Sequence, residues 1–448
     1  MSDQTPLAVV ILAAGNGSRM KSDTPKVLHK IAGKPMISWL LDHVRALAPA
    51  KIITVASPQN QEAVAAYIAP VDTVIQKTPQ GTADAVKAAL PHLADFTGDI
   101  LILAADMPFL TPETLQNLVT ARHANRDTGL AVLGAAFDQP PAFGRMVAAP
   151  DGTLVRIIEH KDCTPDERAI TLCSMGAFCV DGARLEGWLA QVGNDNAQKE
   201  FYLPEIVTIA AAEGVKTGIC VTGDKEEIYG ANDRAELAVL ESIIQRRLRL
   251  GMMKSGVTLM SPDSVYFSHD TVIAPDVTIE PHVFFGTGVT VGAGTIIHGF
   301  SHLEGVTIGE HARIGPFARI RPQSVIEDGA VAGNFIEINR SHMKAGSKAK
   351  HFSYLGDTVV GAKANIGAGT VIANYDGYEK HRTTIGDGAF IGSNSTLVAP
   401  LAVGDGAIIA AGSTITASVP DDALAIARIE GDIRPGWAVA RHKRKKAG

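Results

Sequence analysis

Between about Asp270 and Thr416 the chain counts in sixes. From Ile273 it reads IAPDVT, IEPHVF, FGTGVT and VGAGTI. After a break come IGEHAR, IGPFAR, IRPQSV, IEDGAV and AGNFIE, then VGAKAN and IGAGTV, and finally IGDGAF, IGSNST, LVAPLA, VGDGAI and IAAGST. An aliphatic residue opens nearly every unit, a small one usually follows, and the fifth place is small or apolar. Six residues per flat face, with one aliphatic side chain turned inward from each, is the pattern of a parallel β-helix with three short faces per coil. Three register slips interrupt the count: near Phe300, between Ile338 and Tyr354, and between Ile372 and Ile385. They are expected to be loops expelled from the coil, where binding groups concentrate.

With 448 residues, of which 46% are hydrophobic, the chain exceeds one ordinary core and is expected to form two domains. A net charge of −6 argues against general nucleic-acid binding. The four cysteines, Cys163, Cys173, Cys179 and Cys220, form no C-x-x-C pair and are expected to be reduced, buried thiols. Leu7 to Ala14 is apolar but lacks a basic flank and is too short to cross a bilayer, so it is expected to be a strand in a cytoplasmic protein.

Residues 1–228 alternate apolar runs (LAVVILAAG, KIITVAS, DILILAAD) with amphipathic stretches such as SWLLDHVRAL. The pattern predicts a doubly wound, Rossmann-like α/β sheet of parallel strands, with ligands at the strands' carboxyl ends. After the first strand comes L-A-A-G-N-G-S-R-M and then S-D-T-P-K. Gly15 and Gly17 let the backbone approach a ligand, and Arg19 and Lys26 supply positive charge for phosphates. The spacing matches neither the P-loop nor G-x-G-x-x-G, and the turn alone is a weak signal. A helical linker is expected over 229–251, where Leu237, Leu240, Ile244 and Leu248 recur at spacings of three and four. The domain over 252–448 ends in a basic tail, R-H-K-R-K-K, expected to lack structure.

The whole string LAAGxGxRMxxxxPK resembles the sugar-nucleotide pyrophosphorylase family. Joined to a hexapeptide-repeat β-helix, it is similar to the bacterial bifunctional enzymes that acetylate glucosamine 1-phosphate and then uridylylate N-acetylglucosamine 1-phosphate. The resemblance implies that Leu12, Ala13, Ala14 and Gly15 hold the nucleotide, with Arg19 and Lys26 on its phosphates. It places Gln76 and Gly81 at the uracil, Thr82 among the nucleotide- or sugar-binding residues, and Gly144, Glu159 and Ser174 at the N-acetylated sugar. Asp106 and Asn232 are implied as ligands of Mg²⁺, with UTP and acetyl-CoA as co-substrates. Two departures stand out: Ala104-Ala105 where the family usually has Tyr-Gly, and Ser174-Met175-Gly176 where it has Asn-Thr-Gly.

For the β-helix the resemblance implies a left-handed coil assembled as a homotrimer, without membrane insertion. His351, in H-F-S-Y-L-G-D, is implied as the general base that takes a proton from the sugar amine. His298 and His302 are read as structural. Arg321, Asn339, Tyr354, Asn365, Asn374 and Tyr375 are implied at the acceptor sugar. Glu337 is expected to orient the acceptor or the base, and Asn374 with the Ala368 backbone to steady the oxyanion. Ala368, Ser393, Ala411 and Arg428 match the acetyl-CoA contacts.

Two alternatives stay open at this point. One is a single-activity pyrophosphorylase whose β-helix only oligomerises; the other is a non-catalytic sugar-nucleotide sensor. A third departure sharpens the question: Asn339 stands where the family usually has a phosphate-binding lysine, and its neighbour Arg340 is expected to face the other way. Loss of one charge-assisted hydrogen bond costs ~1.5–3 kcal/mol. An acceptor titration is therefore expected to give a Michaelis constant for glucosamine 1-phosphate about tenfold or more above that of lysine-bearing relatives; an equal constant overturns this expectation.

Overall fold

The computed structural model describes residues 5–15, 17–429 and 431–446, so Asn16 of the glycine-bearing turn lies outside the described residues. The chain divides into two compact units, Met1–Ile244 and Gln245–Gly448.

In the first unit the apolar runs form a nine-stranded sheet. Leu7–Leu12 lies parallel to Lys51–Ala56 on one side and to Asp99–Ala104 on the other, and Asp72–Ile75 extends one edge in parallel. Ala8 and Val10 enter one apolar cluster, Val9 and Ile11 another. That is the period-two alternation of a strand buried on both faces. Helices Thr82–Ala89 and Gly182–Gln191 cover the first face through Val86, Leu185 and Trp188. Met36–Ala46 and Pro112–Arg122 cover the second through Leu40, Val44, Leu115 and Leu118. The sheet departs from the parallel expectation at Leu172–Asp181, which runs antiparallel to both main neighbours, Asp99–Ala104 and Thr128–Ala136, and at the antiparallel pair Arg145–Ala148 and Leu154–Ile158 beside it. Leu172–Asp181 is apolar on both faces like the rest, so hydropathy carried no mark of its direction.

In the second unit the hexads close into a parallel β-helix with three walls. Thr278 pairs with Ile296, and Val272 with Thr290, so three hexads complete one coil. Ile279, Ile297, Ile314, Ala332, Ala349, Ile366 and Ile391 stack inward along one wall, all buried. Corner residues take a left-handed backbone, a conformation that favours glycine. One corner runs through Gly294, His311, Gly329, Gly346 and Lys363; a second through Gly288, Gly305, Gln323, Arg340 and Asp357; a third through His282, Phe300, Phe317, Phe335, Phe352, Gly369, Asn394 and Gly412. Phenylalanine is a strained choice there. Stacking offsets part of that strain: successive ring centroids of His282, Phe300, Phe317 and Phe335 lie 4.8, 5.0 and 4.9 Å apart.

Two of the three slips are not loops. Ile296 pairs with Arg313 and Val331 with Lys348, each one short of three hexads, so the first two slips are single-residue deletions that the coil absorbs. Around the second, the chain forms strands Val331–Asn339 and Lys348–Gly356, paired end to end. His351 therefore stands in a strand beside a corner. A broken count of sixes looks the same whether a residue is lost or several are gained, which is why the sequence did not separate the cases. The third slip is an insertion: Val371 pairs with Thr396, more than a full hexad beyond the usual step, and the surplus leaves the coil with Tyr375 bridged to Lys380.

The last turns of helix Arg234–Lys254 seal the first coil. Leu248 and Met252 pack on its core, and the Gln245 amide both donates to the Phe267 carbonyl (2.6 Å) and accepts from its N–H (2.9 Å). At the other end, the tail expected to lack structure is helical over Trp437–Lys446, where the Arg441 guanidinium lies 5.2 Å from the Trp437 ring centre. Lysine, arginine and alanine are all good helix formers. All four cysteines are buried, and none forms a disulfide. No described helix is long and apolar enough to cross a membrane.

Coil stacking leaves no room for side chains at certain wall positions. A Cβ on Gly333 would lie 2.0 Å from the Lys350 carbonyl oxygen. Gly333→Ala is expected to destabilise the second unit by about 1–3 kcal/mol, read as a lower denaturant midpoint.

Candidate functional site

In the first unit, Leu12, Ala13, Ala14, Gly15, Arg19, Lys26, Gln76, Gly81, Thr82, Asp106, Gly144, Glu159, Ser174 and Asn232 all line one cavity of about 960 Å³. Sheet topology explains the convergence. Leu12 ends the strand Leu7–Leu12, Gln76 follows Asp72–Ile75, and Asp106 lies just past Asp99–Ala104, all at carboxyl ends. Ala104 also lines the cavity, while Ala105 is buried.

Lys26 begins a short helical turn after Pro25. Its ammonium sits 2.6 Å from Asp106 Oδ2 and 3.2 Å from Asn232 Oδ1, so two oxygens from distant parts of the chain converge on one positive charge. Capping of the following helix falls to Asp233, whose Oδ1 accepts from the Ala235 and Glu236 N–H groups (2.9 Å each). Asn232 is thereby freed from the capping role, and its Nδ2 donates to Glu236 Oε2 (3.1 Å), which turns its Oδ1 into the cavity. A carboxylate and an amide oxygen fit a hard divalent cation that fills its other positions with phosphate oxygens and water.

Gln76 is more constrained than the sequence implied. Its Nε2 donates to the Gly81 carbonyl (3.0 Å) and to Asp84 Oδ2 (2.8 Å), leaving only the Oε1 acceptor without a partner among the described residues. Gly81 itself has φ 121°, and a Cβ there would lie 2.4 Å from the Phe201 carbonyl oxygen. Arg145, which no motif flagged, is buried and donates to the carbonyls of Pro141 (2.8 Å), Phe143 (2.5 Å) and Arg168 (3.2 Å). It thus holds the loop that presents Gly144. A Cβ on Gly144 would sit 3.4 Å from Glu159 Oε1, and Ser174 donates its N–H to the Gly144 carbonyl (2.8 Å).

Burial, and secondarily the charge of Asp162, pushes the Glu159 carboxyl above its ordinary value of 4.5. The stability linked to a raised carboxyl pKa is fully present below 4.5 and is lost as pH rises through the folded-state value. Glu159→Gln is therefore expected to be more stable than the wild type near neutral pH, with the advantage vanishing below 4.5; chemical denaturation across pH checks this.

In the second unit the implied acetyl-CoA residues align. His351, Ala368, Ser393 and Ala411 each precede a residue of the phenylalanine-bearing corner, on four successive coils. Gly369 N–H faces the His351 carbonyl (3.4 Å), Asn394 N–H donates to Ala368 (2.7 Å), and Gly412 N–H donates to Ser393 (2.8 Å). Arg428 completes the stripe by donating Nη1 to the Ala411 carbonyl (2.7 Å). Beside it, a Cβ on Gly367 or Gly392 would lie 2.5 or 2.4 Å from the next coil's backbone nitrogen, so the stripe is floored by bare backbone. His351 is exposed, and its Nδ1 lies 2.9 Å from Asn334 Oδ1. That oxygen only accepts, so Nδ1 is the donor in this contact, which in the neutral ring leaves the lone pair on Nε2.

Of the residues implied at the acceptor, Arg321 and Tyr354 lie on the wall beyond that corner. Arg321 Nη1 pairs with Glu337 Oε1 (3.1 Å), and Glu337 lies across the ladder from Tyr354. A Cβ on Gly356 would sit 2.6 Å from the Tyr354 hydroxyl and 2.7 Å from Asn374 Nδ2, so the phenol and the amide are neighbours. Asn365 stands on the preceding wall, paired with Lys348 and Phe390. Tyr375 lies on the expelled loop, its hydroxyl donating to the Gly377 carbonyl (2.6 Å).

Asn339 is buried, with its Oδ1 held by Arg340 Nη1 (3.3 Å). Asn374 donates Nδ2 to Asp357 Oδ2 (2.5 Å) beyond the next corner, so within one chain it lies apart from Ala368. Asp357 and Arg340 were missed as site residues. Their signal was present in the numbering, since Arg340, Asp357 and Asn374 follow one another at steps of 17.

Comparison with known proteins agrees with both halves. Residues 9–156 match the MobA-like NTP transferase domain. Residues 288–322 match the bacterial transferase hexapeptide (six repeats), and 382–417 the hexapeptide repeat of succinyl-transferase. Over 440 residues, covering 98% of this chain and 97% of the relative, it is 53% identical to the bifunctional protein GlmU of Rhizorhabdus wittichii. Identity to the GlmU of Rhodospirillum rubrum is 49%, covering 99% of each chain, and to that of Zymomonas mobilis 46%, covering 100% of each. Similarity of that depth, running unbroken through cavity and coils alike, makes this chain a member of the bifunctional GlmU family.

Proposed function

We propose that the chain acetylates glucosamine 1-phosphate with acetyl-CoA along the coils and then joins N-acetylglucosamine 1-phosphate to the uridylyl group of UTP in the first unit's cavity. The products are coenzyme A, UDP-N-acetylglucosamine and pyrophosphate. One observation carries the two-site reading: His351 shares a coil position with Ala368, Ser393 and Ala411, on a chain whose other unit has its own charged cavity of about 960 Å³.

In acetyl transfer, His351 Nε2 takes a proton from the sugar amine as the amine nitrogen bonds to the thioester carbonyl carbon. The C–S bond then breaks and coenzyme A leaves. Arg428 suits the coenzyme's phosphates, and the bare floor at Gly367 and Gly392 suits its pantetheine arm. Arg321 holds the acceptor's phosphate beside Tyr354.

In uridylyl transfer, a phosphate oxygen of the sugar 1-phosphate bonds to the α-phosphorus of UTP as the bond to pyrophosphate breaks. Arg19 and Lys26 neutralise the phosphates, and Gln76 Oε1 accepts the uracil N3–H. Asp106 and Asn232 would hold Mg²⁺, which would supply charge neutralisation at the triphosphate. Lys26, paired with Asp106 in the free chain, would then serve a phosphate oxygen.

Within one chain the donor stripe borders one corner, while Asp357 and Asn374 lie at the next, across residues 353–356. A homotrimer that sets these corners of neighbouring subunits against each other would join the two half-sites. We place the enzyme in the cytoplasm, where its phosphorylated and thioester substrates are found.

Running both half-reactions on wild type and His351→Ala tests the reading. The variant is expected to lose acetyl transfer by about 10²–10⁴-fold while keeping uridylyl transfer. No thiol release from the wild type would favour a single-activity pyrophosphorylase, and no pyrophosphate release would favour a sensor.

A further inference from the structure

We infer that Asp357 and Arg340 are positioning residues for acetyl transfer, acting through Asn374, whose side-chain oxygen they aim at an N–H group of a bound substrate. This rests on the acetyltransferase assignment proposed above. The three residues stack on successive coils, and the contacts between them run in one direction. Arg340 grips both oxygens of Asp357, with Nε at 2.7 Å and Nη2 at 2.8 Å. A carboxylate held at both oxygens cannot rotate, so its remaining acceptor direction is fixed on Asn374 Nδ2. Because an ionised carboxylate only accepts, the Asn374 amide has one permitted orientation. Its Oδ1 is left without a partner among the described residues, on a side chain only 6% exposed.

Backbone evidence points the same way. Lower on the same corner the left-handed positions are Gly288, Gly305 and Gln323; towards Asn374 they become Arg340 and Asp357, both at φ 49°. Bulky polar residues in a glycine conformation are a strain, and here it is borne by the two residues that form the partly buried ion pair. Asn374 is also where the chain abandons the coil for its insertion, so coil stacking alone does not fix this side chain. Asp357 replaces that lost support. The Tyr354 hydroxyl beside the amide places it within the acceptor group already described. Hydrogen bonding by Arg340 is also the main cause of the lowered pKa of Asp357, which keeps it an acceptor.

An acceptor oxygen here suits either the attacking amine or an amide N–H of the pantetheine arm. Both half-reactions are measured on the full-length chain, acetyl transfer as thiol release from acetyl-CoA. Asp357→Asn, which lets the Asn374 amide turn over, is expected to lower acetyl-transfer kcat/KM about a hundredfold and to leave uridylyl transfer within about twofold. A fall in kcat identifies the amine; a rise in the acetyl-CoA KM identifies the pantetheine amide. Arg340→Lys is expected to retain more activity than Arg340→Gln, and serves the same cycle should Asp357→Asn fail to fold. In an Asn374→Ala background the Asp357→Asn change is expected to cost less than about twofold. An equal cost in both backgrounds, or an Asp357→Asn enzyme matching the wild type, overturns the inference alone. A wild type that releases no thiol overturns the acetyltransferase assignment, and the inference with it.

Discussion

A coil of this β-helix closes only because residues at its corners accept a left-handed backbone while an aliphatic side chain from each wall fills the interior. Everything else in the second unit is built on that requirement. The interior admits only apolar side chains, mostly isoleucine, valine, alanine and leucine, with Phe267, Phe285 and Met343 among them. The corners tolerate more, and chemistry enters there. One corner becomes a column of stacked rings that ends beside His351; another changes from Gly288 and Gly305 to Gln323, Arg340 and Asp357 as it rises. Non-glycine residues in this conformation run along the whole coil, from Asp276 to Asp422.

The first unit solves a different problem. Its cavity must hold polyanions, yet its walls are the ends of apolar strands. Charge is therefore brought in by turns: Arg19 and Lys26 from one, Asp106 from another, Asn232 from the approach to the last helix. Within the chain the Lys26 ammonium answers the two oxygens directly, so their charge is balanced where the strands end. The same logic explains Arg145, whose guanidinium is spent on backbone carbonyls and so stiffens the sugar-side loop.

Much of this was legible in the residues. The six-residue count predicted the coils because inward packing imposes a strict period, and the string from Leu12 to Lys26 pointed to a phosphate-binding turn. What escaped notice shares one cause: the information lay in pairing, which a linear pattern does not carry. Strand direction for Leu172–Asp181, the closure of the coil around His351, and the burial of Asn339 all depend on which neighbour a residue meets. Asp357 and Arg340 looked like ordinary turn residues, and their roles became visible only when equivalent positions on adjacent coils were set side by side. The placement of Gln76 at the uracil likewise carried no sign that Asp84, on the helix that follows, and the Gly81 carbonyl take its N–H groups.

The stripe from His351 to Arg428 also constrains how such a protein can change over time. Its members are adjacent only because each coil returns to the same azimuth after three hexads or one residue fewer, with any larger surplus thrown outward. Residues gained on an expelled segment leave the column intact, as does the single-residue difference between coils, whereas a larger surplus kept within a wall would shear His351 away from Ser393 and Ala411. A lineage can therefore lengthen this scaffold by whole turns below the column or by decorating its edges. Within the column itself, spacing is inherited as strictly as chemistry.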